Sequence, residues 1–599
     1  MKFRSILPFF ILVLANPFFS YGTTAAQKSD TLAVINGTPV TSGEFKTRFE
    51  MSVYPGKGLE DNLYQAKRGF LYSIVAERLL SAAALKDIPG IDKNDEDLKR
   101  NIERIFLRDA LYRKEILPKA KVSESEIDKG IKISSYFYVV NAFYFPDSIS
   151  AQNFYDETHA EKNGADFHKL ADSLKVRHDT LEIGYGESND NIEDAFFGHK
   201  TGFSSKPTLT VDGWVIFKIV KKILNKKFAS AAPEDRRELV RKVIRGRKED
   251  KLGYEYLMKV MKGVTVNVNY NIFRPLVHSI YDMLKTHHPE KFDPYYYLSA
   301  AEIVKIKEEF AKYLNEPMLK FGEGDINLET VLDNLTSAGF AAERANIDEI
   351  TVALHSALKF MVQNHFLAEK ARELGLQNSS EVKYNVSTFL NAYRSQKMAS
   401  AILDTVKVTR EETDNYFRTH KDEVLRDIKL RLQIFKVDNL DRAAEIMNRL
   451  NGMKKRNEDT SGSVWMRASE LGELGAVLAE LNYGDIYGPV FVKNTYTIFR
   501  VLNKKSLVSE TAVKKSIQVA RDMLLAKRRR DVLDKYITKL AGEENVKLYP
   551  DRLKDVSVTP IQMVTFRYIG FGGKIMAVPM LYPREGWIKE FKKNGSVLP

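Results

Sequence analysis

The sequence predicts an α+β chain, mostly helical, built from two copies of one unit, and three observations lead there. Residues 121–132 (KVSESEIDKGIK) return as residues 407–418 (KVTREETDNYFR). In both, a hydroxyl residue, Ser123 or Thr409, follows a valine and precedes acidic residues, the chemistry of a helix N-cap with negative charge in the first turn. Short aromatic and β-branched runs, Tyr136–Phe145 (YFYVVNAFYF) and residues 430–437, stand among long amphipathic stretches, as isolated strands in a helical body would. Finally, 599 residues exceed one hydrophobic core. At roughly 100–200 residues per domain they make about four domains. A period this long means duplication of a whole multi-domain unit.

In chain order, residues 1–26 read as a secretory signal peptide: Lys2 and Arg4, an apolar run from Ile6 to Leu14, then small residues at 24–26. The run is interrupted by Asn16 and Pro17, and it is short of the roughly 20 residues a membrane span needs. Residues 31–49 (TLAVINGTPVTSGEFKTRF) read as a hairpin about Asn36-Gly37 leading into a helix capped by Thr41 or Ser42. Leu71, Ile74, Val75 and Leu79 then mark an apolar helix face. Residues 31–133 form the first helical segment and 134–224 a compact α+β domain, whose closing strand GWVIFKIV (213–220) must pair with 136–145. Between those strands lie helices near 149–161 and 166–174 and an irregular stretch holding IEDAFFGH.

A long charged helix and a helical linker (225–315) lead to the second copy. Its helical segment is 316–424, with Ile326 in the place of Val40, its α+β domain is 425–505, and its charged helix and brief strand are 506–556. The tail, 557–599, has no partner in the first half.

Composition narrows the function. The chain has no cysteine, which excludes disulfides, cysteine chemistry and a lipid anchor on cysteine. The formal charge is +13, a basic balance that suits nucleic acid, an anionic membrane or acidic partners, and export argues against the first. No stretch after the leader is long and apolar enough to span a membrane, so no transmembrane anchor is expected after cleavage. No metal and no cofactor are expected: His287-His288 and the pair His355 and His365 lack ligand spacing, no Gly-x-Ser-x-Gly elbow occurs, and GFGGK (570–574) has Ile575 where a phosphate loop needs Ser or Thr. The basic runs RKVIRGRKEDK (241–251) and KRRRD (527–531) fall at matching places in both copies, which suits a structural role, and a basic rim around a client-binding cradle would place them there too.

Leader, VINGTPVTSGEF, helical segment, KVSESEID and α+β domain occur together in the order found in SurA/PrsA/PpiD-type periplasmic foldases. The chain resembles that family over about residues 31–560. IEDAFFGHKTGFSSKP (192–207) is similar to the parvulin F-E-x-A-x-F-x-L-K-x-G-x-x-S-x-P segment, GWVIFKIV to the closing G-W-H-I-I-K-V strand, and LNYGDIYGPV (481–490) to the L-x-x-G-x-x-x-G-P-V turn. The resemblance implies two SurA-N-like helical chaperone segments, each followed by a parvulin-like peptidyl-prolyl isomerase domain. Parvulins place two histidines beneath the prolyl peptide. Aligning strand ends puts Ala142 and Val215 there in the first copy, and Gln433 and Thr497 in the second.

An X-Pro bond rotates over a barrier of about 18–20 kcal/mol. An isomerase lowers it by holding the bond twisted against well-placed donors. Ala142 and Val215 offer none, so the first domain is expected to be catalytically dead, whereas Gln433 and Thr497 leave a modified site open in the second. Ile192 aligns with the family's pocket phenylalanine and Phe197 with its neighbouring aromatic, a candidate peptide pocket; a plain core role fits Ile192 equally well and Phe197 better. The expected function is that of an ATP-independent periplasmic chaperone for unfolded envelope or outer-membrane proteins. The alternatives are an active isomerase, and a scaffold of an envelope assembly or secretion machine docking through its tail.

Overall fold

A computed structural model describes residues 30–58, 62–160, 166–210, 212–287, 295–322, 324–336, 338–420, 426–437, 439–452, 461–471, 473–492, 495–508 and 513–593. The leader 1–26 and His288 lie outside the described residues.

The first half runs β1 (Thr31–Ile35), β2 (Thr38–Thr41), α1 (Ser42–Glu50), α2 (Leu63–Asp87), α3 (Ile91–Glu115), α4 (Glu124–Ser134), β3 (Tyr136–Phe145), α5 (Ser148–Thr158), α6 (Phe167–Ser173), β4 (Arg177–Ile183), α7 (Asp190–Phe196), β5 (Thr208–Thr210), β6 (Gly213–Leu224), α8 (Lys226–Ser230), α9 (Pro233–Val260) and β7 (Asn267–Val268). Helices α10 (Tyr270–Leu284) and α11 (Ala300–Glu309) lead to β8 (Pro317–Lys320), β9 (Ile326–Asn327), α12 (Leu328–Asn334), α13 (Ile347–Glu373), α14 (Ser380–Asp404), α15 (Arg410–Thr419) and β10 (Arg426–Val437). Then follow α16 (Leu440–Gly452), β11 (Ser463–Arg467), α17 (Glu473–Glu480), β12 (Ile486–Val492), β13 (Thr495–Val508), α18 (Val513–Glu543) and β14 (Lys547–Leu548). The tail adds β15 (Phe566–Tyr568), β16 (Lys574–Met576) and α19 (Ile588–Lys593).

The chain divides into two compact units, one spanning Tyr112–Lys259 and the other Tyr21–Leu111 with Val260–Pro599. In the first unit, Ser123 caps α4 in a reciprocal capping box with Glu126. The sheet order is β4-β3-β6-β5, and β3 pairs antiparallel with β6 from Tyr136↔Leu224 to Phe145↔Trp214. The stretch expected to be irregular holds a strand, β4, and a helix, α7. Strand β4 (RHDTLEI) lies on the sheet edge with half its residues exposed, so its alternation is more charged than apolar. Helices α5 and α6 cover one sheet face with Phe143, Phe145, Phe154 and Phe167, and α7 covers the other with Phe196. Helix α9 packs Val240 and Ile244 on Ile127 of α4.

In the second unit, Asn36 and Gly37 both have positive φ (45° and 78°), the backbone that closes a two-residue hairpin, and Thr41 caps α1. Thr409 caps α15 in a second capping box, with Glu412. The small sheet has the order β11-β10-β13-β12, the same arrangement as in the first unit. Each opening hairpin gains a third strand from the opposite half: β14 lies on β1, and β7 on β8. One core gathers α1, α2, the end of α18 and the tail, and another gathers α10 to α13 with β8.

The tail is part of that first core. Trp587 is fully buried, its Nε1 donating to the Tyr72 carbonyl (3.3 Å) and its ring 5.4 Å from Phe591. Gln562 bonds the Tyr54 backbone in both directions, and Arg584 donates to Ser395 (2.6 Å).

Candidate functional site

The first unit's sheet brings four of the six expected site residues together. Strand alternation puts Tyr138, Val140, Ala142 and Tyr144 of β3 on one face, with Val215, Phe217 and Ile219 opposite them on β6. Helix α7 crosses this face, and Ile192 and Phe197 pack against the same cluster as Ala142 and Val215. The space is filled by rings: Phe197 lies 4.5 Å from Tyr138 and 4.9 Å from Phe196, and Phe196 lies 5.4 Å from Phe217. The Tyr138 hydroxyl accepts from the Gly198 amide (3.2 Å). Ala142 and Val215 are buried at 0% and 1% exposure, so neither offers a donor and neither faces water.

A polar group the sequence reasoning passed over stands beside them. Tyr144 is the cross-strand neighbour of Val215 and is half-buried, with Arg177 4.4 Å from its ring. Burial, with Asp179 adding to it, raises its phenol above the usual tyrosine value, so it stays a neutral hydrogen-bond donor. Its place in an otherwise apolar strand gave no signal. Helix α7 is held from beneath by buried Glu193, which accepts from the amides of Gly186 (2.9 Å) and Ser188 (2.9 Å) and pairs with Arg247 of α9. Burial raises the Glu193 carboxyl above its ordinary range, against the pull of Arg247.

The other face of the sheet carries an open depression of about 480 Å³ lined by Ser148, Ile149, Gln152, Asn153, Lys206, Pro207 and Trp214. Ile149 is 71% exposed at its rim.

In the second unit the two expected residues do not meet. Leu430, Leu432 and Ile434 of β10 face α17 together with Phe499 and Val501, while Phe435 and Val437 face α16 with Ile498 and Tyr496. Thr497, paired with Lys436, shares the α17 face, and Gln433, paired with Arg500, lies on the α16 face. The Gln433 amide donates to the Ser461 carbonyl (3.0 Å). The residue matching Ala142 is therefore Ile434. The bulges at Val139/Val140 and Arg431/Leu432, which align the two strands, fix the match. Aligning strand ends is one residue out here, and one residue flips a side chain through the sheet. The turns of the two sheets do correspond to each other: the amides of Gly202 and Gly484 donate to Ile219 and Val501, which donate back to Phe203 and Asp485.

No family model matches the chain, and no curated protein matches it either. Among solved structures, the chain is similar to the peptidylprolyl isomerase PrsA of Bacillus cereus, with 16% identity, 39% of this chain and 91% of that one covered, and a TM-score of 0.18. It is also similar to the foldase PrsA of Streptococcus pneumoniae (14% identity, 39% and 94% covered, TM-score 0.17). A third is a structure from the pair PEB4 and Cj1289, SurA-like chaperones of Campylobacter jejuni (13% identity, 43% and 96% covered, TM-score 0.17).

The basic runs have partners in both halves. Lys248 of α9 pairs with the capping-box Glu126 (2.6 Å) and donates to the Lys121 carbonyl (2.7 Å). Arg528 of α18 pairs with the capping-box Glu412 (2.8 Å) and donates to the Lys407 carbonyl (3.0 Å). Each small domain is thus flanked by a helix pair latched at the same motif.

Proposed function

We propose that this chain is an exported, ATP-independent chaperone for unfolded envelope proteins, outer-membrane proteins among them, in which parvulin-like domains bind peptide without isomerising proline. The observation that carries this reading is the sheet face holding Ala142 and Val215: buried, packed with rings, and without a titratable group where the resembled family has histidines. Twisting a prolyl bond needs donors aimed at the peptide that rotates. Tyr144 is a donor beside Val215 on that face of the first domain, and Thr497 is one on the corresponding face of the second. The separation of Gln433 from Thr497 weakens the isomerase alternative, and the burial of Trp587 weakens docking through the tail. The leader pattern supports export to the periplasm. Two linked units suit a holdase, since a second weak contact made in the same chain multiplies avidity.

The test pairs two assays on the mature chain: proline isomerisation in a short reporter peptide, and suppression of aggregation of an unfolded outer-membrane protein. The expected result is strong suppression with no isomerisation above background. Isomerisation that disappears in Tyr144→Phe or Thr497→Val would make the protein an enzyme.

A further inference from the structure

Residues 564–576 of the tail lie in a cleft of the second unit walled by α3, α13 and α14. Arg567 pairs with Asp109 of α3 and with Glu381 of α14 (2.8 Å), and its guanidinium stands 5.4 Å from the Phe106 ring. The Gly570 amide donates to Asp109 (3.1 Å). Arg108 donates to the Gly572 carbonyl (3.2 Å) and to Asn364 of α13, and it lies 5.4 Å from the Phe360 ring. Phe571, Gly572 and Gly573 all have positive φ, and a Cβ on Gly572 would sit 3.4 Å from Phe360.

These walls present a pair of carboxylates, a cation and aromatic rings. That is the outfit of a recognition surface, because buried ion pairs add little net stability but discriminate strongly among occupants. The occupant is lightly built. Strands β15 and β16 make a two-stranded ribbon of three residue pairs, which is marginal by itself, and Tyr568 is 55% exposed. It is tethered independently at both ends, by Gln562 on Tyr54 and by Trp587 and Phe591 in the core.

We propose that this cleft is a peptide-binding site for an extended segment that sets an arginine or lysine beside aromatic residues, and that residues 564–576 are its resident occupant, displaced by a client of that chemistry. The proposal rests on the chaperone reading and adds the client's chemistry and the competition that gates it. A tethered competitor acts at an effective concentration of order millimolar, so releasing it raises the apparent affinity for an outside peptide at least about tenfold.

The probe is a labelled peptide of sequence VTFRYIGFGGKIM, residues 564–576, titrated into the full-length mature chain, alongside reduced carboxymethylated α-lactalbumin as an unfolded protein. Arg567→Glu repels Asp109 and Glu381 and frees the segment. Gly572→Ala strains the same turn without changing charge, and carries the test should the first variant fail to fold. The expected result is faster hydrogen exchange over residues 564–576 with Trp587 and its neighbours still protected, and peptide affinity at least tenfold above wild type. Adding Asp109→Asn to the freed variant should then remove that gain. Released exchange with unchanged peptide affinity would overturn the proposal, as would both variants unfolding as a whole. If the peptide binds the freed cleft but no form holds the unfolded protein, the cleft stands and the chaperone reading falls. If the unfolded protein is held and the peptide is ignored, the reverse follows.

Discussion

Glu126 and Glu412 hold the same place in the two halves, third residue of a capped helix and partner of a returning cation. The cation's hydrogen bond and the capping backbone amide hold both carboxyls at about 2. An acid whose folded value is depressed stabilises the fold above its unfolded value, and that contribution disappears as pH falls from about 4.5 toward 2. Glu126→Gln with Glu412→Gln should therefore flatten the loss of stability between pH 5 and pH 2.5, read from urea midpoints across that range. Both groups are at the surface, so the effect should shrink in high salt. Burial changes the outcome at Arg48 and Glu77, which pair within the second unit's core at 2.8 Å with side chains 2% and 5% exposed. Glu77→Ala leaves a buried guanidinium without its partner and should cost about 3–5 kcal/mol in denaturant unfolding.

At the scale of elements, the helix starts at Ser123 and Thr409, the strand Tyr136–Phe145 and its pairing with the closing strand were all legible, because caps and dense β-branched runs are local signals. What escaped was non-local. The bulge at Arg431/Leu432 decides which face Gln433 takes, yet it is a property of strand pairing that no residue there announces. The short helix α7 and the edge strand β4 carry too few apolar residues to show a period. The tail gave no pattern because its burial depends on α2, far away in sequence. Trp587→Ala should accordingly destabilise the chain by about 3–5 kcal/mol, a cost expected of core and not of a docking arm. The crossing of α4 and α9 offers a sharper check. A Cβ at Gly130 would run into Val240 Cγ1. Gly130→Ala should cost about 1–3 kcal/mol by overpacking, and Val240→Ala should restore part of it.

At the scale of the whole molecule, the two opening hairpins show strands passing between the two halves of the chain. In each half the closing strand leaves its own half and completes the hairpin of the other. Lys547 and Leu548 lie opposite Val34 and Ala33, and the Tyr549 amide donates to Leu32 (2.9 Å). Asn267 and Val268 lie opposite Lys320 and Leu319, and the Asn269 amide donates to Met318 (2.9 Å). A unit that closed on itself would pair β7 with β1 and β14 with β8, so the two arrangements predict opposite outcomes for one kind of substitution. Antiparallel alternation gives Asn267 and Lys547, two residues from those bonded amides, the inward-facing amides that proline removes. With the strands exchanged, Asn267→Pro should speed hydrogen exchange in residues 317–320 and leave 31–41 protected. Lys547→Pro should speed exchange in residues 31–35 and leave 317–327 protected. If each proline instead loosened the hairpin of its own half, the strands would not be exchanged in solution. The exchange also joins residues 31–35 to residues 547–548 within the second unit, so loosening β14 should lower the cooperativity of unfolding there as well as its midpoint.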